Sequence, residues 1–417
     1  MTTSGTTPTP SDRGVRRRRA RGVTALLLAA GCAVTVAGAV VPAGAGVTTL
    51  ADAGAATGRT IGVAVSAARL TTDPAYAAIV DREYASITPE NETAFDALQP
   101  TRGTFTFTAA ERVVGWAKDH HKQVRGYAPL RGSAQSAWFA SLSPTAQREA
   151  MTGHLDAVLA HFRGSITTWD VVTEAFGDSG ARRPSVLERT GADWIEVAFR
   201  AARAADPDAR LCYSDYGIED FASPKAQAVY LMLKDFRARA VPVDCVAIQS
   251  HFTGGAKRPE SFPTTLRGFA SLGLGVELSE LEATGDARQP EVFRSVAQDC
   301  VAVSACTAIT VWGVRDIDSW RGAESPVLFD RDGAPKPAYT AFRAGLLSDW
   351  GCFAPVGAGA VAPQCVSQPS TTKPSTTKPS TTKPSTTSPR PSRTKKPSTR
   401  CRTRANGTMT CKVVTRR

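Results

Sequence analysis

Residues 167–174 read TTWDVVTE, and residues 275–280 read GVELSE. Each stretch is a short run rich in apolar residues that ends at a glutamate, Glu174 in the first and Glu280 in the second. Runs of this length and composition are typical of buried strands. Each of the two carboxylates is therefore expected to lie at the end of a strand.

Six further runs of the same kind occur between residues 58 and 350, and a longer helical segment follows each of the eight. The candidate strands are Ile61–Val65, Ala85–Thr88, Gln123–Tyr127, Thr167–Val172, Arg210–Ser214, Cys245–Ser250, Gly275–Ser279 and Ala308–Trp312. This alternation predicts a closed parallel (β/α)8 barrel, the TIM barrel of the α/β class. A doubly wound nucleotide-binding sheet is disfavoured, because no Gly-x-Gly-x-x-Gly follows the first run.

Polar and aromatic residues follow the predicted strands, at the end of the barrel where active sites form. In chain order they are Glu90, Asn91, Glu174, Asp215, Gln249, His251, Glu280, Glu282 and Trp312. Hydrolysis of a glycosidic bond needs one carboxylic acid to protonate the leaving oxygen and a second carboxylate to attack or to activate water. Glu174 and Glu280 stand on separate strands and suit these two roles.

The net charge of +12 is concentrated at the ends of the 417-residue chain. Residues 1–41 carry six Arg and one Asp, and residues 366–417 carry thirteen Lys and Arg with no acidic residue. The chain between them has a net negative charge, so the folded body is not expected to bind nucleic acid. We expect the two basic ends of the chain, and not the folded body, to attract anionic polymers such as those of a cell wall.

Residues 1–45 are interpreted as a signal peptide, which predicts a secreted, extracellular protein. Six arginines precede an apolar run from Val23 to Val41, and small residues follow it. Two alternatives stay open from the sequence. The run is just long enough for an uncleaved membrane anchor. Cys32 lies in a segment that weakly resembles a lipoprotein processing site.

Residues 366–400 repeat Pro-Ser-Thr-Thr-Lys and have almost nothing apolar to bury, which predicts a disordered linker. Residues 401–417 form a short basic tail in which Cys401 and Cys411 bracket Asn406-Gly407. That dipeptide favours a tight hairpin turn. The tail is interpreted either as a small disulfide-closed hairpin or as a disordered cationic segment.

Eight cysteines follow the signal segment, an even number that suits an oxidising compartment. Local spacing suggests three pairs and leaves Cys212 and Cys245 to pair with each other. The three pairs are Cys300 with Cys306, Cys352 with Cys365, and Cys401 with Cys411. No Cys-x-x-Cys and no His-rich cluster occurs, so a structural zinc is not expected.

Several motifs, in the correct order, resemble those of glycoside hydrolase family 10, the endo-1,4-β-xylanase family, between Ile61 and Phe342. They are ITPENE at 87–92, WDVVTEAF at 169–176, YSDY at 213–216, QSH at 249–251, ELSEL at 277–281 and TVWGV at 310–314. Members of that family often bridge positions that match Cys212 with Cys245 and Cys300 with Cys306.

The resemblance implies a monomeric retaining glycosidase that acts on xylan, a polysaccharide, without metal or organic cofactor. Glu280 would be the nucleophile and Glu174 the general acid and base, with their carboxyl groups about 5 to 5.5 Å apart. His251 would hydrogen-bond and orient Glu280. The residues expected to contact substrate are Glu90, Asn91, Tyr127, Arg131, Thr173, Gln249, Trp312 and Trp320.

The part that holds the sugar at the cleavage point departs from the family pattern. The family's Lys falls at Ala94, its Trp at Phe95 and its Asn before the acid at Thr173, and its GHTLVWH becomes GYAPLRG at 126–132. Contacts of this kind supply several kcal/mol in the transition state. Two hypotheses follow: a glycosidase of altered specificity, in which Arg131 pairs with an acidic substituent, or a slow or inactive barrel that binds carbohydrate or the cell wall. The sequence leaves the sugar, and endo against exo action, undetermined.

Overall fold

A computed structural model describes residues 47–132 and 135–348, together with the backbone of two strands between 398 and 414. The predicted signal peptide at 1–45, most of the predicted linker, and the predicted pair of Cys352 with Cys365 lie outside the described residues. Residues up to 363 and residues from 364 onward form two separate compact units.

Eight parallel strands form the first unit. They are β1 Thr60–Val65, β2 Ser86–Pro89, β3 Gln123–Arg131, β4 Thr168–Thr173, β5 Arg210–Asp215, β6 Cys245–Ile248, β7 Gly275–Ala283 and β8 Cys306–Val311. Each strand pairs in parallel with the next one along the chain, and β8 pairs with β1. The sheet is therefore closed, which confirms the predicted (β/α)8 barrel.

Helices connect the strands and surround them. They are Leu50–Ala56, Ala67–Thr72, Pro74–Glu83, Phe95–Leu98, Thr108–Asp119, Ala137–Ala140, Pro144–His161, Trp194–Ala205, Pro224–Ala238, Phe262–Ala270, Gln289–Val301 and Pro337–Leu346. Short 3-10 turns span Glu188–Thr190, Asp316–Asp318 and Gly322–Glu324. Among the described residues, no helix combines the length and the apolar character needed to cross a bilayer.

Several helices start at a local sequence signal. Asp73, Ser143 and Ser223 each precede a proline at the first helical position, and each side chain accepts a hydrogen bond from a backbone N–H of the first turn. Proline lacks the N–H that would be unsatisfied there, and the cap satisfies another one. These signals fix where three helices begin.

The folded body begins before the predicted boundary at residue 58. Leu50 is fully buried in the helix Leu50–Ala56, and its N–H donates to Glu83 Oε2 at 3.2 Å. The hydroxyl of Tyr339, in the last helix of the barrel, donates to the same oxygen at 2.9 Å. The backbone oxygen of Val47 accepts from Arg343 at 2.9 Å. The segment from Val47 to Leu50 and the last helix of the barrel are thus held together.

Strands β3 and β7 are longer than predicted. In β3 the pairing with β4 shifts register between Tyr127 and Leu130, and Ala128 has a φ of 50°. Such a β-bulge lets a strand continue past a residue that cannot join the ladder, and it turns the following side chains. Pro129 is such a residue, because proline has no N–H to donate to the neighbouring strand. The predicted strand ended two residues before it, at Tyr127.

Two disulfides join elements of the barrel, as the cysteine spacing predicted. Cys212 in β5 is bonded to Cys245 in β6, and Cys300 is bonded to Cys306 at the start of β8.

The second unit contains an antiparallel pair of strands, Ser398–Thr403 and Met409–Val414, so residues 398–400 belong to a strand rather than to the predicted linker. Cys401 stands opposite Cys411 in register. This pairing agrees with the first of the two interpretations, the hairpin; its turn lies outside the described residues, and its disulfide stays a prediction.

A buried charge network connects four strands, β3, β4, β5 and β7, near their N-terminal ends. Arg125 in β3 donates from Nε to Asp170 Oδ2 in β4 at 2.7 Å and also contacts Glu277 in β7. Arg210 in β5 donates to Glu277 Oε1 at 2.8 Å. Arg125 is almost completely buried, as are both carboxylates. Charges buried in this way must stay paired, because an isolated one loses its hydration without compensation.

We expect Arg125→Ala to lower the free energy of unfolding by about 3–5 kcal/mol, because it leaves Asp170 buried without a cation. The exposed pair of Arg200 with Glu196 provides a matched control, and Arg200→Ala should cost less than about 1 kcal/mol. Chemical denaturation followed by circular dichroism measures both values. Equal losses in the two variants would contradict a structural role for the network.

Candidate active site

A cleft of about 550 Å³ opens at the C-terminal ends of the barrel strands. It is lined by Glu90, Asn91, Tyr127, Arg131, Glu174, Tyr216, Gln249, His251, Thr253, Glu280, Trp312, Trp320 and Arg321. Every site residue predicted from the sequence is among them except Thr173. Tyr216, Thr253 and Arg321 were not predicted as site residues. Tyr216 follows Asp215 in the quoted YSDY motif, whereas the other two lie in loops that carry no strand pattern.

Glu174 stands directly after β4 in an unusual backbone conformation. Its φ is 59°, and its N–H donates to Ser214 O in β5 at 3.0 Å. Positive φ is uncommon for residues other than glycine and is often found at functional sites, where neighbouring structure holds it in place. Its side chain is half-buried. A proton carried by Glu174 can therefore be exchanged with a group in the cleft.

Glu280 lies within β7 and is 3% exposed. His251 Nε2 is 3.3 Å from Glu280 Oε2, and the hydroxyl of Tyr127 is 3.5 Å from the same oxygen. Burial raises the pKa of Glu280, the hydrogen bond and positive charge of His251 oppose that rise, and the negative charge of Glu174 adds to it. The ionised form of Glu280 thus depends on the cation beside it.

His251 connects two carboxylates. Its Nδ1 is 2.8 Å from Glu282 Oε1, and its Nε2 faces Glu280. Burial lowers the pKa of His251, but the hydrogen bonds and charges of Glu280 and Glu282 outweigh burial and raise it to about 10. The imidazole is therefore a cation at neutral pH, with both N–H groups donating. The contact of His251 Nε2 with Glu280 is the one needed for the predicted role of His251 in orienting Glu280.

The position of Glu282 follows from the strand period. Residues two apart on a strand share a face, so Glu282 points to the same side as Glu280. The short strand His251–Phe252 pairs with Glu282 and Ala283 of β7, which holds the imidazole beside both carboxylates. The sequence placed Glu282 at a strand end but did not reveal its contact with His251.

Tyr127 and Arg131 occupy the wall at the end of β3. Arg131 Nη2 donates to the Tyr127 hydroxyl at 2.6 Å, and the rings of Tyr127 and Trp312 meet edge to face at 4.9 Å. Trp320 is 59% exposed, and the guanidinium of Arg321 lies over its ring at 4.4 Å. Flat aromatic faces of this kind suit the apolar faces of sugars.

Besides the Nε atoms of Arg131 and Arg321, two buried polar atoms of cleft-lining residues have no hydrogen-bond partner among the described residues. They are Gln249 Nε2, a donor, and Glu280 Oε1, an acceptor. Buried polar groups are nearly always paired, so unpaired ones mark places that a ligand or water fills. Both residues line the cleft, and a hydroxyl-rich molecule would satisfy both atoms.

Thr173 does not line the cleft, which corrects the prediction that it contacts substrate. It is the last residue of β4, it has no exposed surface, and its hydroxyl has no partner among the described residues. The strand persists through Thr173 and packs its side chain inward, so the turn toward the cleft starts only at Glu174.

The described residues contain one group of potential metal ligands, Cys212, Cys245 and Glu277. The two sulfurs are bonded to each other, so this group offers no thiolate. The chemistry of the cleft is that of paired carboxylates.

The closed barrel and the two carboxylates in one cleft define a (β/α)8-barrel glycoside hydrolase. The sequence model described as Glycosyl hydrolase family 10 matches residues 49–344. Endo-1,4-beta-xylanase 2 of Claviceps purpurea is 34% identical over 273 residues, covering 65% of this chain and 83% of that protein. Endo-1,4-beta-xylanase B of Thermotoga neapolitana is 34% identical over 285 residues, covering 64% and 82%.

Solved structures give the same result. The crystal structure of xylanase 10B from Thermotoga petrophila RKU-1 in complex with xylobiose has a TM-score of 0.69 and 31% identity, covering 72% of this chain and 98% of that one. The native xylanase 10B from Thermotoga maritima has a TM-score of 0.69 and 32% identity, covering 72% and 99%. This chain belongs to glycosyl hydrolase family 10, and the resemblance found in its motifs is confirmed.

We expect His251→Asn to move the acidic limb of the kcat/KM profile to higher pH. The nucleophile must be ionised, so activity falls as pH drops through the pKa of Glu280. Removing the cation leaves burial unopposed and raises that pKa further. The profile is measured on an aryl glycoside. Glu282→Gln keeps the imidazole, which stays protonated beside Glu280 at acidic pH, so this variant should not move the limb to higher pH. An unmoved acidic limb in His251→Asn would contradict the electrostatic role.

Proposed function

We propose that this protein is a retaining glycoside hydrolase that cleaves β-1,4 bonds in xylan or a related polysaccharide by double displacement. The observation that supports the proposal most directly is the shared cleft of Glu174 and Glu280, one carboxylate half-buried and the other buried beside a cation. The xylanase names of the relatives, and the xylobiose bound to one of the similar structures, support the substrate class.

In the first step, Glu280 attacks the anomeric carbon while Glu174 gives its proton to the departing glycosidic oxygen. The C–O bond to the leaving sugar breaks, and an ester forms between Glu280 and the retained sugar. In the second step, Glu174 removes a proton from water, which attacks the same carbon and releases Glu280 as a carboxylate. Two inversions give net retention of configuration.

The surroundings of each carboxylate suit its part. His251 carries a positive charge beside Glu280, so the nucleophile is available as an anion although it is buried. Gln249 also lines the cleft, and its side-chain amide has a free donor, which suits a sugar hydroxyl. Trp312 and Trp320 would stack on sugar rings on either side of the bond that is cut. Contacts that strengthen in the transition state raise the rate of the chemical step.

A second candidate function is carbohydrate binding without effective hydrolysis. It is favoured by the wall at β3, where Tyr127 and Arg131 hydrogen-bond to each other at positions that hold histidine and tryptophan in the family pattern. Release of reducing sugar separates the two functions. Saccharide binding with no hydrolysis of any plant or bacterial glycan would support the second.

We also propose that the enzyme is exported and acts as a monomer outside the cell. The arginine-rich start followed by the apolar run at 23–41 supports export, and the two disulfides of the barrel suit an oxidising compartment. The basic tail would contact anionic wall polymers. N-terminal sequencing of the protein from the culture medium tests export, and an intact N-terminus in the membrane fraction would contradict it.

We expect Glu280→Ala and Glu174→Ala each to lower kcat on xylan by at least about 10³-fold. Glu149→Ala, an exposed glutamate on the helix Pro144–His161, serves as the control and should retain full activity. Nuclear magnetic resonance identifies the first anomer released by the unmutated enzyme, which is β if configuration is retained. Release of the α anomer first would contradict double displacement.

Azide distinguishes the two glutamates. It is a small anionic nucleophile that fits the space left by either carboxylate. With an activated aryl glycoside, azide should give the α-glycosyl azide in Glu280→Ala and the β-glycosyl azide in Glu174→Ala. The same azide product from both variants would contradict the assignment of roles.

A further inference from the structure

A second cavity of about 250 Å³ adjoins the cleft beside β3. We call it the side cavity, and it is lined by Asn91, Ala94, Asp96, Ala97, Ala128 and Arg131. Asn91 and Arg131 also line the cleft, so the two spaces share a wall. A group attached to a sugar in the cleft has a place to enter next to the catalytic carboxylates.

The side cavity exists because its lining side chains are small. Ala94, Ala97 and Ala128 each contribute only a methyl group. Ala128 is the residue with positive φ at the bulge of β3, which changes the direction of the chain before Arg131. The volume exceeds that of several water molecules, each of which takes about 30 Å³. It is about eight times that volume, which is room for a substituent the size of a single sugar.

Arg131 is the cationic group at the shared wall. Its guanidinium has five N–H donors, and among the described residues only the Tyr127 hydroxyl accepts from it. Its Nε is buried without a partner, and no carboxylate of the described residues lies within salt-bridge distance of it. A half-buried guanidinium with spare donors matches a carboxylate, which it can bind through two parallel hydrogen bonds.

Asp96 is the acidic group of the side cavity, and its position limits its effect. The residue is exposed, and its carboxylate accepts a hydrogen bond from the N–H of Ala97 at 3.2 Å. Water and salt screen the field of an exposed charge. Arg131 is less accessible, and its charge is screened less. Glu174 and Glu280 also act on the charge of Arg131 from the cleft, but neither is within ion-pair distance of it, so the guanidinium remains open to an anion on the side of the side cavity.

We propose that the side cavity takes a carboxylate-bearing substituent, a uronate, carried by the glycan in the cleft, and that Arg131 binds its carboxylate. This assignment rests on the proposed function and narrows the substrate to acidic, branched glycans. Arg131 then acts as a specificity-determining residue, because an acidic branch gains a contact that a neutral branch does not make.

Three oligosaccharides test the proposal: a linear neutral xylo-oligosaccharide, the same chain with a glucuronate branch, and the branched chain with its carboxyl group reduced to an alcohol. The acidic chain should have a kcat/KM about 10- to 100-fold above that of the reduced chain, as expected for a hydrogen-bonded charge pair. The ratio should fall as salt is raised.

Two variants locate the effect. Arg131→Gln should bring the ratio of acidic to reduced substrate close to one, whatever it does to the overall rate. Ala97 lines the side cavity and not the cleft, so Ala97→Phe should lower kcat/KM for both branched substrates more than for the linear one. Ala204→Phe, at an exposed alanine of the helix Trp194–Ala205, is the matched control and should change none of the three.

Equal kcat/KM values for the acidic and reduced chains in the unmutated enzyme would overturn this proposal, while hydrolysis of the linear chain would leave the proposed function standing. A ratio that survives Arg131→Gln would overturn the role of Arg131. Calorimetric binding of the three oligosaccharides to Glu280→Ala gives a readout that needs no catalysis. If none of the three oligosaccharides were bound or hydrolysed, both proposals would be overturned.

Discussion

The rest of the site depends on one constraint, a buried carboxylate that stands beside a half-buried cation. Glu280 is held within a barrel strand, where burial disfavours its charge, and His251 supplies the opposing charge. Glu282 in turn keeps the imidazole protonated. The barrel must therefore place His251, in the short strand after β6, against two residues of β7, and the parallel pairing of both strands with β7 makes that contact possible.

The bulge of β3 controls the opposite side of the cleft. Without the irregularity at Ala128, a regular strand would turn alternate side chains to the core and to the helices. With it, Tyr127 reaches toward Glu280 and Arg131 reaches the Tyr127 hydroxyl. The change from GHTLVWH to GYAPLRG thus falls at the end of β3, whereas Glu174 and Glu280 stand on β4 and β7.

Much of this arrangement could be read from the sequence because strands of a barrel are short apolar runs and their ends hold polar residues. The positions of Glu174, Glu280 and His251 follow from that rule and from the family motifs. Thr173 was misjudged because sequence does not reveal which residue is the last to face inward. The contact of Glu282 with His251, and the space beside Ala94, depend on distances between elements, which no single-strand pattern contains.

The contacts between the start of the barrel and its final helix limit how far the N-terminal segment can be trimmed without loss of stability. Val47, Leu50 and Glu83 form contacts that Tyr339 and Arg343 complete. A peptidase that removed Val47 would take away the acceptor of Arg343, and one that trimmed past Leu50 would also remove the backbone donor to Glu83. We therefore expect the shortest stable form of the catalytic body to retain Val47 and the residues that follow it.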